Sequence, residues 1–184
     1  LNNTQGFQHT RHFTPDEQHA LRLAKIARIA NGERPRVLDL FAGAGGLSLG
    51  FHSAGFEIVA AVEIDEQAAR THAMNFFRDS PEDVKIRHAK SRDITSVEPY
   101  DLIREYGFQD PATAIDVIIG GPPCQAFARV GRAKLREVAR HPEAFLQDPR
   151  ANLYLRFIHY VELLQPLAIL MENVPDALNY GGHN

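Results

Sequence analysis

Short apolar runs alternate with stretches of helical character along this chain, and that alternation narrows its fold more than any other feature. Val37 to Phe41, Ile58 to Glu63, Val84 to His88, Ile115 to Gly120 and Leu167 to Met171 are the strand candidates. They are mostly apolar without polar alternation, as strands buried on both faces of a parallel sheet are. Leu47 to Ser53, Glu66 to Phe77, Val97 to Tyr106 and Asn152 to Leu164 are the helices between them. Strand and helix in regular succession predict an α/β fold with a doubly wound, mostly parallel sheet. Ligands of such sheets bind beyond the carboxyl ends of the strands. Ahead of the first strand, Thr14-Pro15-Asp16-Glu17 combines a cap hydroxyl, a proline at the first helical position and a glutamate three residues after the cap. This capping box predicts a helix to about Ala30, with Ala20, Leu23, Ala24, Ala27 and Ala30 on its apolar stripe and Asn31-Gly32 as its stop.

At 184 residues and 44% hydrophobic content the chain is large enough to bury a core of its own. Residues 1–13 read as a flexible arm and 14–184 as one domain. A single cysteine, Cys124, excludes an internal disulfide and a multi-thiolate zinc site and argues for a reducing compartment. The nine histidines form no ligand cluster with carboxylates, so no metal site is expected. With no apolar run of membrane-spanning length and a polar start, the expected location is the cytoplasm, without a membrane partner.

The net charge of −3 argues weakly against nucleic acid, yet Arg129 to Arg140 holds five basic residues against one acid. By itself such a run reads first as a solvated helix face.

Three motifs carry chemistry. VLDLFAGAGG, residues 37 to 46, runs a strand into a glycine-rich turn and then a helix, where backbone N–H groups can approach a ligand closely. Twenty residues past Gly43, Glu63 ends the second strand, a position from which a carboxylate can accept both hydroxyls of a ribose. A nucleoside cofactor is implied. The spacing does not choose between a dinucleotide and S-adenosylmethionine, although Ser48 stands where the dinucleotide fingerprint needs a third glycine.

The second motif, IIGGPPCQAF, residues 118 to 127, sets Cys124 after two stiffening prolines at the carboxyl edge of the sheet, with Arg129 and Arg132 near enough in sequence to favour thiolate. The third, ILMENVP, ends a strand in Glu172, which can share a proton with a ring nitrogen or serve only as a solvated strand end. Strands of a parallel sheet end on one side, so Gly43, Glu63, Cys124 and Glu172 should gather at one edge.

In this order the motifs FAGAGG, VEID, RDIT, GGPPCQAF, DPRANLY and ENVP resemble the cytosine-5 DNA methyltransferase family, over residues 36 to about 178. The resemblance implies a Rossmann-like S-adenosylmethionine-dependent methyltransferase fold. It implies that Phe41, Gly43, Gly45 and Gly46 hold the methionine part and adenine face of S-adenosylmethionine, Glu63 the ribose, Ile64 the adenine plane, and Asp93 with Ile94 the adenine edge. Pro123 would line the methyl-donor side. Cys124 would attack carbon 6 of a cytosine flipped out of double-stranded DNA, and Glu172 would bind the ring nitrogen. The basic stretch with Arg129 and Arg132 would belong to a loop that closes over the phosphates. Restriction-modification is the setting that family habit implies.

The chain departs from the family after ENVP, where it runs only to Asn184. The family's later arginine-bearing strand, its target-recognition region and its Gly-Asn-Ser segment are not found. The expectation is the first part of a longer enzyme, or half of a split one completed by a second chain, and Leu1 in place of Met agrees with it. Ala128 stands where the family commonly has Ser. A tRNA methyltransferase of the same architecture and a catalytically idle cofactor-binding module remain alternatives.

Overall fold

The computed structural model describes residues 11–123 and 149–172. Expectations placed on residues 1–10, on Cys124, Arg129, Arg132 and the rest of the basic stretch, and on the chain past Glu172 lie outside the described residues.

Among the described residues four strands, β1 (Arg36–Leu40), β2 (Glu57–Val62), β3 (Val117–Gly120) and β4 (Ala168–Met171), form one parallel sheet in the order β2-β1-β3-β4. Their last residues lie side by side, Leu40 opposite both Val62 and Gly120, and Gly120 opposite Met171. Helices cover both faces. Alternation along the strands sends Leu38, Leu40 and Ile118 into a core with Leu102 and Ile103 of α5 (Pro99–Glu105) and Phe157, Tyr160 and Leu164 of α7 (Pro149–Leu164). It sends Val37, Ile58, Val117 and Ile119 to the other face, against Leu47 and Phe51 of α2 (Gly46–Ser53) and Phe76 and Phe77 of α3 (Glu66–Phe77). This is the doubly wound architecture expected from the alternation, and four of the five predicted strands form within a residue or two of their expected limits. β4 is an edge of the described sheet, and its Ile169 and Leu170 are exposed.

The fifth predicted strand, Val84 to His88, is instead part of the helix α4 (Glu82–Ala89). Val84, Ile86 and His88 mimic a period of two, but the local chemistry is helical: Pro81 stands at the cap, Glu82 and Asp83 occupy the first turn and Arg87 and His88 the last. An Asp83–Arg87 ion pair adds i,i+4 support. In the helix His88 turns inward and Ile86 outward, which a strand could not do with residues two apart. A short helix α6 (Pro111–Ala114), capped by Asp110, was not expected from the sequence.

The first helix, α1 (Pro15–Ala30), starts at the expected capping box, with Thr14 Oγ1 accepting from Glu17 N and the Glu17 carboxylate accepting from Thr14 N. Its packing face differs from the expected alanine stripe. Ala20, Leu23, Ala24, Ala27 and Ala30 are exposed, and the one fully buried side chain of the helix is Lys25. The Lys25 ammonium donates to the carbonyls of Ile115, Leu164 and Gln165 at 2.6, 2.9 and 2.7 Å. Two of these close the negative end of α7. One turn on, Arg28 donates to Asp116, whose Oδ2 also accepts from Arg36 N. Alanine methyls gain little by burial, whereas orphan helix carbonyls demand donors, so the polar face docks. Burial lowers the Lys25 pKa to about 8, against the pull of Asp116. Lys25→Met keeps the stem and removes all three donors. It is expected to cost about 3 kcal/mol in denaturant unfolding, and a loss below about 0.5 kcal/mol would show that water replaces the ammonium.

Candidate active site

The turn after β1 and the end of β2 are tied by one carboxylate. Glu63 Oε2 accepts from Gly43 N and Oε1 from Asp65 N, both at 2.8 Å. Each oxygen keeps lone pairs for further donors. Glu63 thus fixes the glycine turn and stays available to a pair of hydroxyls. Ile64 follows it with an exposed apolar side chain, 69% accessible, beside this edge. Phe41, the first residue past β1, has φ 61°, a left-handed conformation rare for a bulky residue.

Gly45 is required twice over. Its φ of 97° is left-handed, and a Cβ there would lie 2.4 Å from the Phe76 ring and 3.0 Å from the His72 ring. A Cβ on Gly43 or Gly46 would meet nothing within 4 Å, so the turn presents open space at those two positions. That space, the exposed Ile64 and the Glu63 lone pairs fit a nucleoside with a flexible tail, which is what S-adenosylmethionine offers.

Beneath the turn lies a buried polar group that the motifs did not point to. Ser48 of α2 donates to Asp39 Oδ2 at 2.6 Å, and its hydroxyl is 3.1 Å from His72 Nε2 of α3. All three residues are buried. Asn75, also of α3, donates to Ala44 O at 3.0 Å, so α3 grips the turn from below and from the side. The one sequence signal was a polar residue, His72, between Ala69, Ala73 and Phe76 on the inward face of a helix.

Burial pushes the Asp39 carboxyl up to about 6, with Ser48 opposing and the Glu63 charge reinforcing it. Burial also pushes His72 down to about 4 and His88, stacked on Phe77, down to about 3. The signs are opposite. Between pH 4 and 6.5 the unfolded chain binds two protons that the folded imidazoles refuse, while folded Asp39 holds one that the unfolded chain has released. The imidazoles outweigh the carboxyl, so stability is expected to fall on acidification through that range, by roughly 1.4 kcal/mol per pH unit for each net proton taken up. His88→Phe, which retains the stack, should flatten the slope. Urea unfolding at pH 5 and 6 measures both, and an unchanged slope in the variant would refute the assignment.

At the other side of the edge, Gly121 follows β3 and Glu172 follows β4. Glu172 N donates to Gly120 O at 2.9 Å, and a Cβ on Gly121 would stand 3.0 Å from Glu172 Oε2. The absent side chain leaves Glu172 its place. Pro122 is buried and Pro123, the last described residue before Cys124, is exposed.

The third part of the edge is the segment after α4. Arg92 N donates to Glu63 O at 2.6 Å, and its guanidinium bonds Lys90 O, Arg87 O and Glu105. Asp93 is exposed next to it. Ile94 is only 4% exposed and packs in the core, so what it can offer a ligand is its backbone.

The edge therefore brings together Phe41, Gly43, Gly45, Gly46, Glu63, Ile64, Asp93, Pro123 and Glu172. Among the described residues no helix is long and apolar enough to cross a membrane.

The chain's residues 35–181 match the family model of the C-5 cytosine-specific DNA methylases. It is 38% identical over 151 residues to M.OihORF3336P of Oceanobacillus iheyensis, a candidate type II methyltransferase, across 82% of this chain and 31% of that one. It is 39% identical over 143 residues to the type II methyltransferase M.HgiGI of Herpetosiphon aurantiacus, across 77% of this chain and 92% of that one. A solved E. coli structure, that of a candidate DNA modification methyltransferase encoded within a prophage, superposes with a TM-score of 0.55 at 37% identity, over 80% of this chain and 35% of the other. The chain spans about a third of the length of the Oceanobacillus relative and of the solved structure.

Proposed function

We infer that this chain, which belongs to the C-5 cytosine-specific DNA methylase family, carries the cofactor site and the base-activating groups for methyl transfer to carbon 5 of cytosine in DNA. The observation that carries the inference is the sheet edge itself: Glu63, bonded to the glycine turn, and Glu172, seated against Gly121, stand at ends of one parallel sheet. β3, which lies between β2 and β4 in the sheet, ends at Gly120, four residues before Cys124 in the sequence.

Phe41, Gly43, Gly45, Gly46 and Ile64 would bind S-adenosylmethionine around the turn, with Glu63 at its ribose, Asp93 and the Ile94 backbone at its adenine edge, and Pro123 on the methyl-donor side. When bound, S-adenosylmethionine supplies an electrophilic methyl group. Carbon 5 of cytosine is a poor nucleophile, and the Cys124 thiolate raises its electron density by bonding to carbon 6. Glu172 holds the ring nitrogen on which the displaced electron pair collects. After the new bond to carbon 5 forms, a base removes the carbon 5 proton and the carbon 6–sulfur bond breaks, returning the thiolate. The target must leave the duplex for this, at a cost of roughly a few kcal/mol. Arg129 and Arg132, in the basic stretch after Cys124, would contact the phosphates. Residues 14–184 would form this catalytic unit. A second chain or further segment would read the target sequence.

Duplex DNA carrying 5-fluorocytosine tests the reaction. Fluorine at carbon 5 blocks the proton loss that frees the enzyme, so a denaturation-resistant protein–DNA adduct is expected, dependent on S-adenosylmethionine. An adduct with fluorocytosine-substituted tRNA and none with DNA would overturn the choice of substrate. Binding of cofactor without any adduct, in the presence of the target-reading partner, would leave a cofactor-binding module.

A further inference from the structure

We propose that Arg156 of α7 is a positioning residue for adenine recognition, holding the backbone from Ile94 to Glu98 so that the Asp93 carboxylate meets the adenine amino group in one orientation. The proposal rests on the cofactor site described above, because it takes Asp93 as the group at the adenine edge.

Arg156 is 5% exposed and lies on the core-facing side of its helix. Its guanidinium donates through Nε to Ile94 O at 2.8 Å, through Nη2 to Val97 O at 2.6 Å and through Nη1 to Glu98 Oε1 at 3.0 Å. Two neighbours on α7 add to the grip. Tyr160 donates to Val97 O at 2.9 Å, and His159 Nε2 is 3.2 Å from Glu98 Oε2. On the other side, Arg92 N is bonded to Glu63 O at the end of β2. The segment is therefore clamped before and after Asp93, from two different elements.

Between the clamps Asp93 forms a tight turn. Its Oδ1 accepts from Thr95 N at 2.8 Å and Thr95 Oγ1 at 2.7 Å, while its carbonyl accepts from Ser96 N and Val97 N. Among the described residues no hydrogen bond uses Oδ2, which leaves that oxygen to a ligand donor. An exposed carboxylate on a free loop would sample many orientations, and a ligand would carry the ordering cost on binding. A planar guanidinium reaching two carbonyls and a carboxylate within five residues fixes the turn before the ligand arrives. A residue needed only to fill the core would not require three donors in this geometry.

Calorimetric titration of the chain with S-adenosylhomocysteine and with S-inosylhomocysteine, in which a carbonyl replaces the adenine amino group, tests the proposal. The inosyl compound sets an acceptor against the Asp93 carboxylate, so the chain should prefer the adenosyl compound by at least about 100-fold. In Arg156→Met this preference should fall below about 10-fold, with circular dichroism showing that the fold is kept. Tyr160→Phe, which removes one of two donors to Val97 O, should give an intermediate ratio. A folded Arg156→Met with the original ratio, its two affinities unchanged or lowered in parallel, would make the arginine structural only and overturn the proposal. If that variant does not fold, an unchanged ratio in Tyr160→Phe overturns it equally. Wild-type chain that binds both compounds alike removes Asp93 as the reader of adenine, and the proposal with it. Folded chain that binds neither compound refutes the cofactor site itself, a different failure.

Discussion

Gly45→Ala is expected to lose both stability and cofactor binding, while Gly46→Ala loses binding alone. At Gly45 the new methyl meets the Phe76 ring at 2.4 Å and must hold φ near 97°. Left-handed backbone costs a residue with a Cβ roughly 1–2 kcal/mol. Phe76 is packed with Phe77 and Phe51 in the second core, so its ring yields only by disturbing that core, at about 1–3 kcal/mol more. A total near 3 kcal/mol is expected, with S-adenosylmethionine affinity lowered at least about 100-fold as the turn shifts. At Gly46 a Cβ meets nothing within 4 Å, and the residue opens α2, where alanine is if anything favoured by roughly 0.5–1 kcal/mol. Any loss of affinity there must come from the ligand side of the turn. Thermal melting and calorimetric titration of the two variants separate the effects. Equal stability of both would mean that Phe76 moves freely and the turn is not held from below.

The largest effect is expected at Cys124, the one thiol in the chain. Cys124→Ala should lower methyl transfer to DNA by at least about a thousandfold, the scale on which a covalent nucleophile is missed. S-adenosylmethionine affinity should stay within about threefold of wild type, because the groups assigned to that ligand are mainly on β1, β2 and the segment after α4. Single-turnover transfer and cofactor titration, run on wild type and variant side by side, make the comparison. Parallel loss of both would point to a structural thiol. Retained transfer would dismiss the covalent route.

That Gly43, Glu63 and Glu172 stand at one edge of the sheet is legible in the sequence. Glycines in the turn after β1, an acid after β2, Gly-Gly-Pro-Pro after β3 and Glu-Asn after β4 are each local patterns, and parallel strands oblige their ends to meet. The strand over residues 84–88 was misread because Val84, Ile86 and His88 alternate over too short a stretch to distinguish periods of two and 3.6. There the ends of the segment, Pro81 with two acids and Arg87 with His88, carried the helical information.

The face of α1 was misread for another reason. An apolar stripe of alanines is the usual docking surface, but docking is set by what the partner presents. The partner here is the carbonyl end of α7 with Asp116, which calls for Lys25 and Arg28.

The sequence by itself determined the class of fold and which chemical groups stand at the ends of its strands, because each depends on residues within a few positions of one another. Only the tertiary structure decided how those groups are held. Glu63 divided between Gly43 and Asp65, Ser48 between Asp39 and His72, and Arg156 on the carbonyl of Ile94 join residues from 2 to 62 positions apart. Nothing in the local pattern marks most of these pairs. They exist because burying a polar group without a partner costs more than most folds can bear, and the partner that satisfies it is whichever one packing brings near.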